Sequence, residues 1–278
     1  MKRMLRNTLV AAMLLPAAAM AAERNDMASC YDASKLSEFK PAPSGRQLVI
    51  VVDQTIRMPE DIQRSAWEKI DRFVQEGDQV KLYTFSAFVP GEYMRLQADV
   101  TLEVQASEAV RNEMGMSKLR QLDTCMKAQK AGFVRGVGGL FVKAMRDANN
   151  DNPKSEILHA LREVGTDMSQ QPARDRVVFL ISDMLENSDY ASFYANSAIQ
   201  NLNVAQQIQK ASDKALFADL GGARVYVAGA GLVTDSIKQK YRSGKTMDLL
   251  NEFWSAYFDK SRATLESFGA PMLNVDLK

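Results

Sequence analysis

Leu48-Val49-Ile50-Val51-Val52-Asp53-Gln54-Thr55 decides how this chain is read, because an unbroken apolar, largely β-branched run stops at an aspartate. An apolar run without polar alternation suits a strand covered on both faces, as in a parallel sheet flanked by helices. A second such run, Val177-Val178-Phe179-Leu180-Ile181-Ser182-Asp183, also ends on an aspartate. Around these two, the pattern alternates. A helix is expected near 59–76, with Pro59 suited to its first turn, and a strand over 80–85 after the Gly77-Asp78 turn. Further strands are expected at 100–104, 224–228 and 272–275, with helices around 198–218 and 247–268. Strands regularly separated by helices imply a doubly wound α/β fold, a mostly parallel sheet with helices on both faces.

The chain has 278 residues, 46% of them hydrophobic, which is enough for a buried core. Residues 1–21 read as a secretory signal peptide. Lys2, Arg3 and Arg6 form the basic region, Thr8 to Ala19 the apolar one, and Ala19-Met20-Ala21 the cleavage site. The mature protein is therefore expected in the periplasm or secreted. No other segment is apolar enough to span a bilayer, so no stable membrane insertion is expected after cleavage. Residues 22–46, with Pro41, Pro43 and Gly45, read as an N-terminal arm ending in a turn, and 47–278 as one domain with a helical insertion at about 105–150. In that insertion Gly132, Gly136 and Gly139 share a helix face and would let another backbone approach. Gly136-Val137-Gly138-Gly139 lacks the Lys-Ser/Thr of a phosphate loop, and Val227-Ala228-Gly229-Ala230-Gly231 lacks the spacing of a dinucleotide fingerprint.

The formal charge of +1 turns slightly negative once the basic leader is removed, which argues against nucleic acid as a partner. Cys30 and Cys125, the only cysteines, are an expected disulfide in an exported chain. With His159 the sole histidine, a zinc site or a Ser-His or Cys-His pair has almost nothing to be built from, and His159 itself is expected to pack or meet solvent.

In a doubly wound sheet, ligands gather beyond the carboxyl ends of the strands. Asp53 and Asp183 end strands there, and Ser155, in Ser155-Glu156-Ile157-Leu158-His159-Ala160-Leu161, opens a helix. Taken singly, each is what caps helices or orders loops. Taken together they supply oxygen ligands of the kind a hard cation such as Mg²⁺ requires.

At these residues the chain resembles the von Willebrand factor A domain family. Its metal-ion-dependent adhesion site combines D-x-S-x-S after the first strand, a Thr/Ser on a later loop and an Asp after a central strand. Asp53 takes the first position, Thr55 replaces the first serine, Ser155 stands before Ala160-Leu161 as in T-x4-A-L, and Asp183 matches [LIV]-[ST]-D-G with Met184 in place of the glycine. The resemblance implies a vWA-like fold and, if metal is bound, Mg²⁺ held weakly by Asp53, Thr55, Ser155 and Asp183. Arg57 departs from the pattern, standing where the second serine belongs. Its guanidinium either pairs with the aspartates in place of a metal, or points to solvent and leaves a weak site.

The loop from Met184 to Asn203 carries Tyr190, Phe193 and Tyr194, a candidate partner-binding patch beside the same edge, whereas Phe253, Trp254, Tyr257 and Phe258 have the spacing of core packing. The expected function is non-enzymatic. The chain reads as an exported protein-interaction module whose partner, of unknown identity, meets Asp53, Thr55, Arg57, Ser155, Asp183, Tyr190, Phe193 and Tyr194, with or without metal. The alternatives are a metal-assisted phosphohydrolase using Asp53, and a structural envelope component with a vestigial site.

Overall fold

Successive residues of β1 (Arg46–Asp53) enter two different cores, which is why its apolar run is continuous. The structure, a computed structural model, describes residues 24–86, 94–150, 154–195, 198–233 and 244–278, and the expected leader at 1–21 lies outside them. Val49 and Val51 pack with α5 (Ile157–Ser169), α6 (Val204–Asp213) and α7 (Gly244–Lys260). Leu48, Ile50 and Val52 pack with α2 (Glu60–Phe73) and α4 (Met116–Arg146). All five side chains are fully buried, each worth about 1.5–3 kcal/mol relative to exposure.

The six-stranded sheet has the order β3-β2-β1-β4-β7-β8, with β2 at Gln79–Phe85, β3 at Met94–Thr101, β4 at Asp175–Ile181, β7 at Ala223–Ala228 and β8 at Ala263–Phe268. All neighbours are parallel except β2 and β3. From β1 the chain crosses through α2 to β2 on one side, while β4, β7 and β8 extend the sheet on the other. The strand order therefore reverses between β1 and β4, and a crevice opens beyond their carboxyl ends. This is the expected doubly wound α/β sheet.

Several element boundaries differ from the sequence reading. The strand expected at 100–104 is the end of the longer β3, which returns antiparallel along β2. The helix expected over 198–218 is the shorter α6, preceded by a two-stranded ladder of β5 (Tyr194–Ala195) and β6 (Ala198–Ile199). The helix expected to reach 268 stops at Lys260, where Arg262 takes a positive φ of 55°. Ala263–Phe268 then forms the edge strand, with Thr264 and Glu266 outward and Ala263 and Leu265 half-buried. Residues 272–275 form no strand.

The region of about 105–150 holds α3 (Glu108–Arg111) and the 31-residue α4. The expected Cys30–Cys125 disulfide is present, tying α1 (Cys30–Ala33) to α4. The close approach expected at Gly132, Gly136 and Gly139 is not found, since beyond the adjoining backbone of their own helix no atom lies within 4 Å of where a Cβ would sit on any of them. The packed glycine is their neighbour Gly138, where a Cβ would fall 2.8 Å from the Trp67 ring. Among the described residues no helix is long and apolar enough to cross a membrane.

Candidate functional site

Register brings the aspartates together. Val52 pairs with Ile181, so the next residues of both strands, Asp53 and Ser182, emerge side by side at the switch point. Asp53 is fully buried and its carboxylate is enclosed by donors. Oδ1 accepts the Thr55 backbone N–H at 2.8 Å and the Thr55 hydroxyl at 2.5 Å. Oδ2 accepts the Ser182 hydroxyl at 2.7 Å and, more weakly, that of Ser155 at 3.4 Å. Burial pushes the Asp53 carboxyl above the usual range, and these donors pull it back.

Asp183 follows in the same loop. Its Oδ1 accepts the Leu185 N–H at 2.9 Å, and its backbone carbonyl accepts the Gly231 N–H at 2.7 Å. Burial first, and then the negative charge of Asp53, hold its carboxyl well above the ordinary range. The side chain is half-buried and faces a cavity of about 150 Å³. Thr55 and Ser155 line the same cavity, opposite Ile56, Leu232 and Val233.

The glycines of Val227–Gly231 support this loop. Gly229 and Gly231 take positive φ of 100° and 66°, and a Cβ at either would collide with Met58 or Met247. Met184 holds φ 60° where the resemblance expects glycine. That backbone is fixed by its N–H donating to Ser182 Oγ and its carbonyl accepting Trp254 Nε1, both at 2.9 Å.

Ser155 reaches the site without opening the helix. It exchanges two backbone hydrogen bonds of 2.9 Å with Asn187, and α5 begins two residues later. The first turn of α5 is met from across the chain by Glu186, whose Oε2 accepts the Leu158 N–H at 3.0 Å. Glu186 is buried, and burial pushes its carboxyl up to about 8. No local sequence signal marks this contact, because Glu186 lies in a separate polar loop. His159, half-buried, lies 3.7 Å from Glu156 and is held below its usual pKa by burial.

Arg57 does not take the metal's place between the aspartates. Its side chain is exposed, its Nε donates to the Ala148 carbonyl at 3.0 Å beyond the end of α4, and among the described residues it pairs with neither Asp53 nor Asp183. Two of the expected partner-facing aromatics are also corrected. Phe193 is fully buried and meets the Phe253 ring edge-on at 4.8 Å, while Tyr190 is buried with its hydroxyl on the Gln207 carbonyl at 2.6 Å. Both complete the core whose other rings, Phe253, Trp254, Tyr257 and Phe258, pack as expected. Tyr194 alone stays half-exposed and lines the cavity.

Among the described residues no group of three or more His, Cys, Asp or Glu is placed to hold a metal. A cation here would rest on hydroxyls together with carboxylates.

No family model matches the chain, and no curated protein matches it. Solved structures do. An aerotolerance-related membrane protein from Bacteroides fragilis is 11% identical, with 82% of this chain and 92% of that one covered and a TM-score of 0.38. The ArnB paralog VWA2 from Sulfolobus acidocaldarius is 11% identical over 83% of this chain and 43% of that one, with a TM-score of 0.36. The pilus adhesin SpaC from Lactobacillus rhamnosus GG is 10% identical over 82% and 28%, with a TM-score of 0.39. The chain thus spans less than half of the length of the last two.

Proposed function

We propose that this chain is an exported, von Willebrand factor A-like protein-interaction module that binds a protein partner at the carboxyl edge of its sheet. The observation that carries the reading is the convergence of Thr55, Ser155 and Asp183, from separate parts of the chain, on one open cavity at the switch point, with Asp53 hydrogen-bonded to the Thr55 and Ser155 hydroxyls behind it. The resemblance rests on Asp53, Thr55, Ser155 and Asp183 in this order, and the hydroxyls of Thr55 and Ser155, both residues of the cavity lining, donate to Asp53 behind them. A hard divalent cation, if bound, would be held by Thr55, Ser155 and Asp183, and would supply positive charge to a partner's acidic group.

Asp53 is poorly suited to phosphohydrolase chemistry. A nucleophilic carboxylate needs an oxygen open to the substrate, whereas both Asp53 oxygens are buried and hydrogen-bonded. His159 is not among the residues that line this cavity. Turnover of p-nitrophenyl phosphate that disappears in Asp53→Asn would overturn the non-enzymatic reading.

The direct test is crosslinking of the mature, tagged protein in envelope fractions of its native host, comparing the wild type with Asp183→Ala combined with Leu232→Glu. A crosslinked species lost in the double variant is the expected result. An identical species in both contradicts docking at this edge, and so does a melting temperature unchanged with no crosslinked species in either.

A further inference from the structure

We propose that the cavity at the switch point is a socket for an arginine side chain presented by the protein partner. This rests on the partner-docking reading above and names the group that docks.

The floor of the cavity carries a carboxyl group and its walls are mixed. Asp183 faces it, with Asp53 behind, and Ile56, Leu232 and Val233 share the sides with the amides of Asn150 and Asn187. No cation among the described residues answers these carboxylates. Arg57 is turned to the Ala148 carbonyl, and Lys154, which stands at the rim, is ion-paired with Asp189 at 2.6 Å. An acidic partner group entering here would meet like charge. A cationic one relieves the repulsion between the two aspartates.

Size and hydration select among cations. A cavity of about 150 Å³ matches the order of volume that admits a benzene-sized planar group, so a guanidinium fits. The guanidinium is also more weakly hydrated than an ammonium, so it gives up less on leaving water for a cavity partly walled by Ile56, Leu232 and Val233. Its fork of donors has acceptors to meet. Among the described residues Asp183 Oδ1 accepts the Leu185 N–H alone, and the Thr55 and Ser155 hydroxyls, already donating to Asp53, retain lone pairs. Half-exposed Tyr194 supplies an aromatic wall against which a guanidinium stacks.

The test is NMR titration of the mature protein, in EDTA, with N-acetyl-argininamide and in parallel with N-acetyl-lysinamide, for the wild type and Asp183→Asn. Saturable shifts at Leu185 and Leu232 with the arginine probe are expected, at least tenfold weaker with the lysine probe and at least tenfold weaker in Asp183→Asn. Melting curves confirm that the variant is folded. Failure of the arginine probe to saturate, equal binding of both probes, or undiminished binding to Asp183→Asn overturns the proposal. If Mg²⁺ perturbs these resonances and the arginine probe does not, the proposal is overturned as well. The crosslinking comparison separates the two readings: a partner lost from the pocket variant, with no arginine binding, removes the arginine socket and leaves docking at the edge intact.

Discussion

Met184 combines a strained backbone with a side chain that has no exposure at all, so its replacement separates two opposing energies. A residue with a Cβ at φ near 60° is disfavoured by about 1–2 kcal/mol relative to glycine's freedom there. Deleting a fully buried methionine side chain destabilises by about 2–5 kcal/mol. Met184→Ala loses the packing and keeps the strain. Met184→Gly loses the same packing and sheds the strain. Both variants are therefore expected to be less stable than the wild type by about 2–5 kcal/mol, with Gly the better of the two by about 1 kcal/mol. At a position with ordinary backbone the order is reversed, because glycine is worse than alanine by about 0.5–1 kcal/mol. The inverted order isolates the backbone contribution from the lost packing. Urea denaturation followed by tryptophan fluorescence reads both values, provided the slopes agree among the three proteins. A Met184→Gly protein as stable as the wild type would show that packing does not hold this turn, and Ala more stable than Gly would show that the turn is not strained.

Three further outcomes follow from the buried groups and the disulfide. Glu186 has a folded pKa of about 8 against about 4.3 unfolded, so the native state keeps a proton that the unfolded chain has lost. Its share of stability is complete below the unfolded value and is lost as pH rises towards 8. Glu186→Gln should therefore gain on the wild type, on the order of a few kcal/mol, between pH 5 and pH 9 in paired urea titrations, and parallel pH profiles would refute this. Replacing Cys30 and Cys125 by serine opens a cross-link spanning 95 residues and should lower stability by about 2–5 kcal/mol in denaturant melts; an unchanged midpoint would contradict the constraint. Gly138→Ala should destabilise, because its Cβ meets the Trp67 ring at 2.8 Å, whereas Gly136→Ala and Gly139→Ala, with open space, should each raise stability by up to about 1 kcal/mol through helix propensity. Thermal melts of the three variants decide, and a stabilising Gly138→Ala would be inconsistent with that contact.

The parallel strands were legible because burial on both faces leaves an unbroken apolar run, as at Leu48–Val52 and Val177–Ile181. The strand-end aspartates were legible for the same reason, since the run itself places them at the edge. What sequence could not supply was side-chain direction. Arg57 reads as a neighbour of Asp53, yet its Nε finds the Ala148 carbonyl, a partner set by how α4 docks. Phe193 sits in a polar loop and looks available, but a pocket made by Phe253 and Trp254 on a distant helix buries it. Ser155 seemed to cap α5, while Glu186 does so from another loop, and no periodicity records a contact between two irregular segments. The edge strand β8 was hidden because the aromatic stripe of α7 runs into it without a glycine or proline to mark the break.

The central claim is that buried Asp53 and half-buried Asp183 share the switch point with no cation from the described residues between them. The most direct measurement is a carbon-detected NMR titration of the Asp183 carboxyl in metal-free protein, repeated in Arg57→Ala. The expected result is a midpoint well above the usual aspartate value of about 3.9, the same in both proteins. A midpoint at or below that value in the wild type, rising when Arg57 is removed, would contradict the account and place the guanidinium in the site.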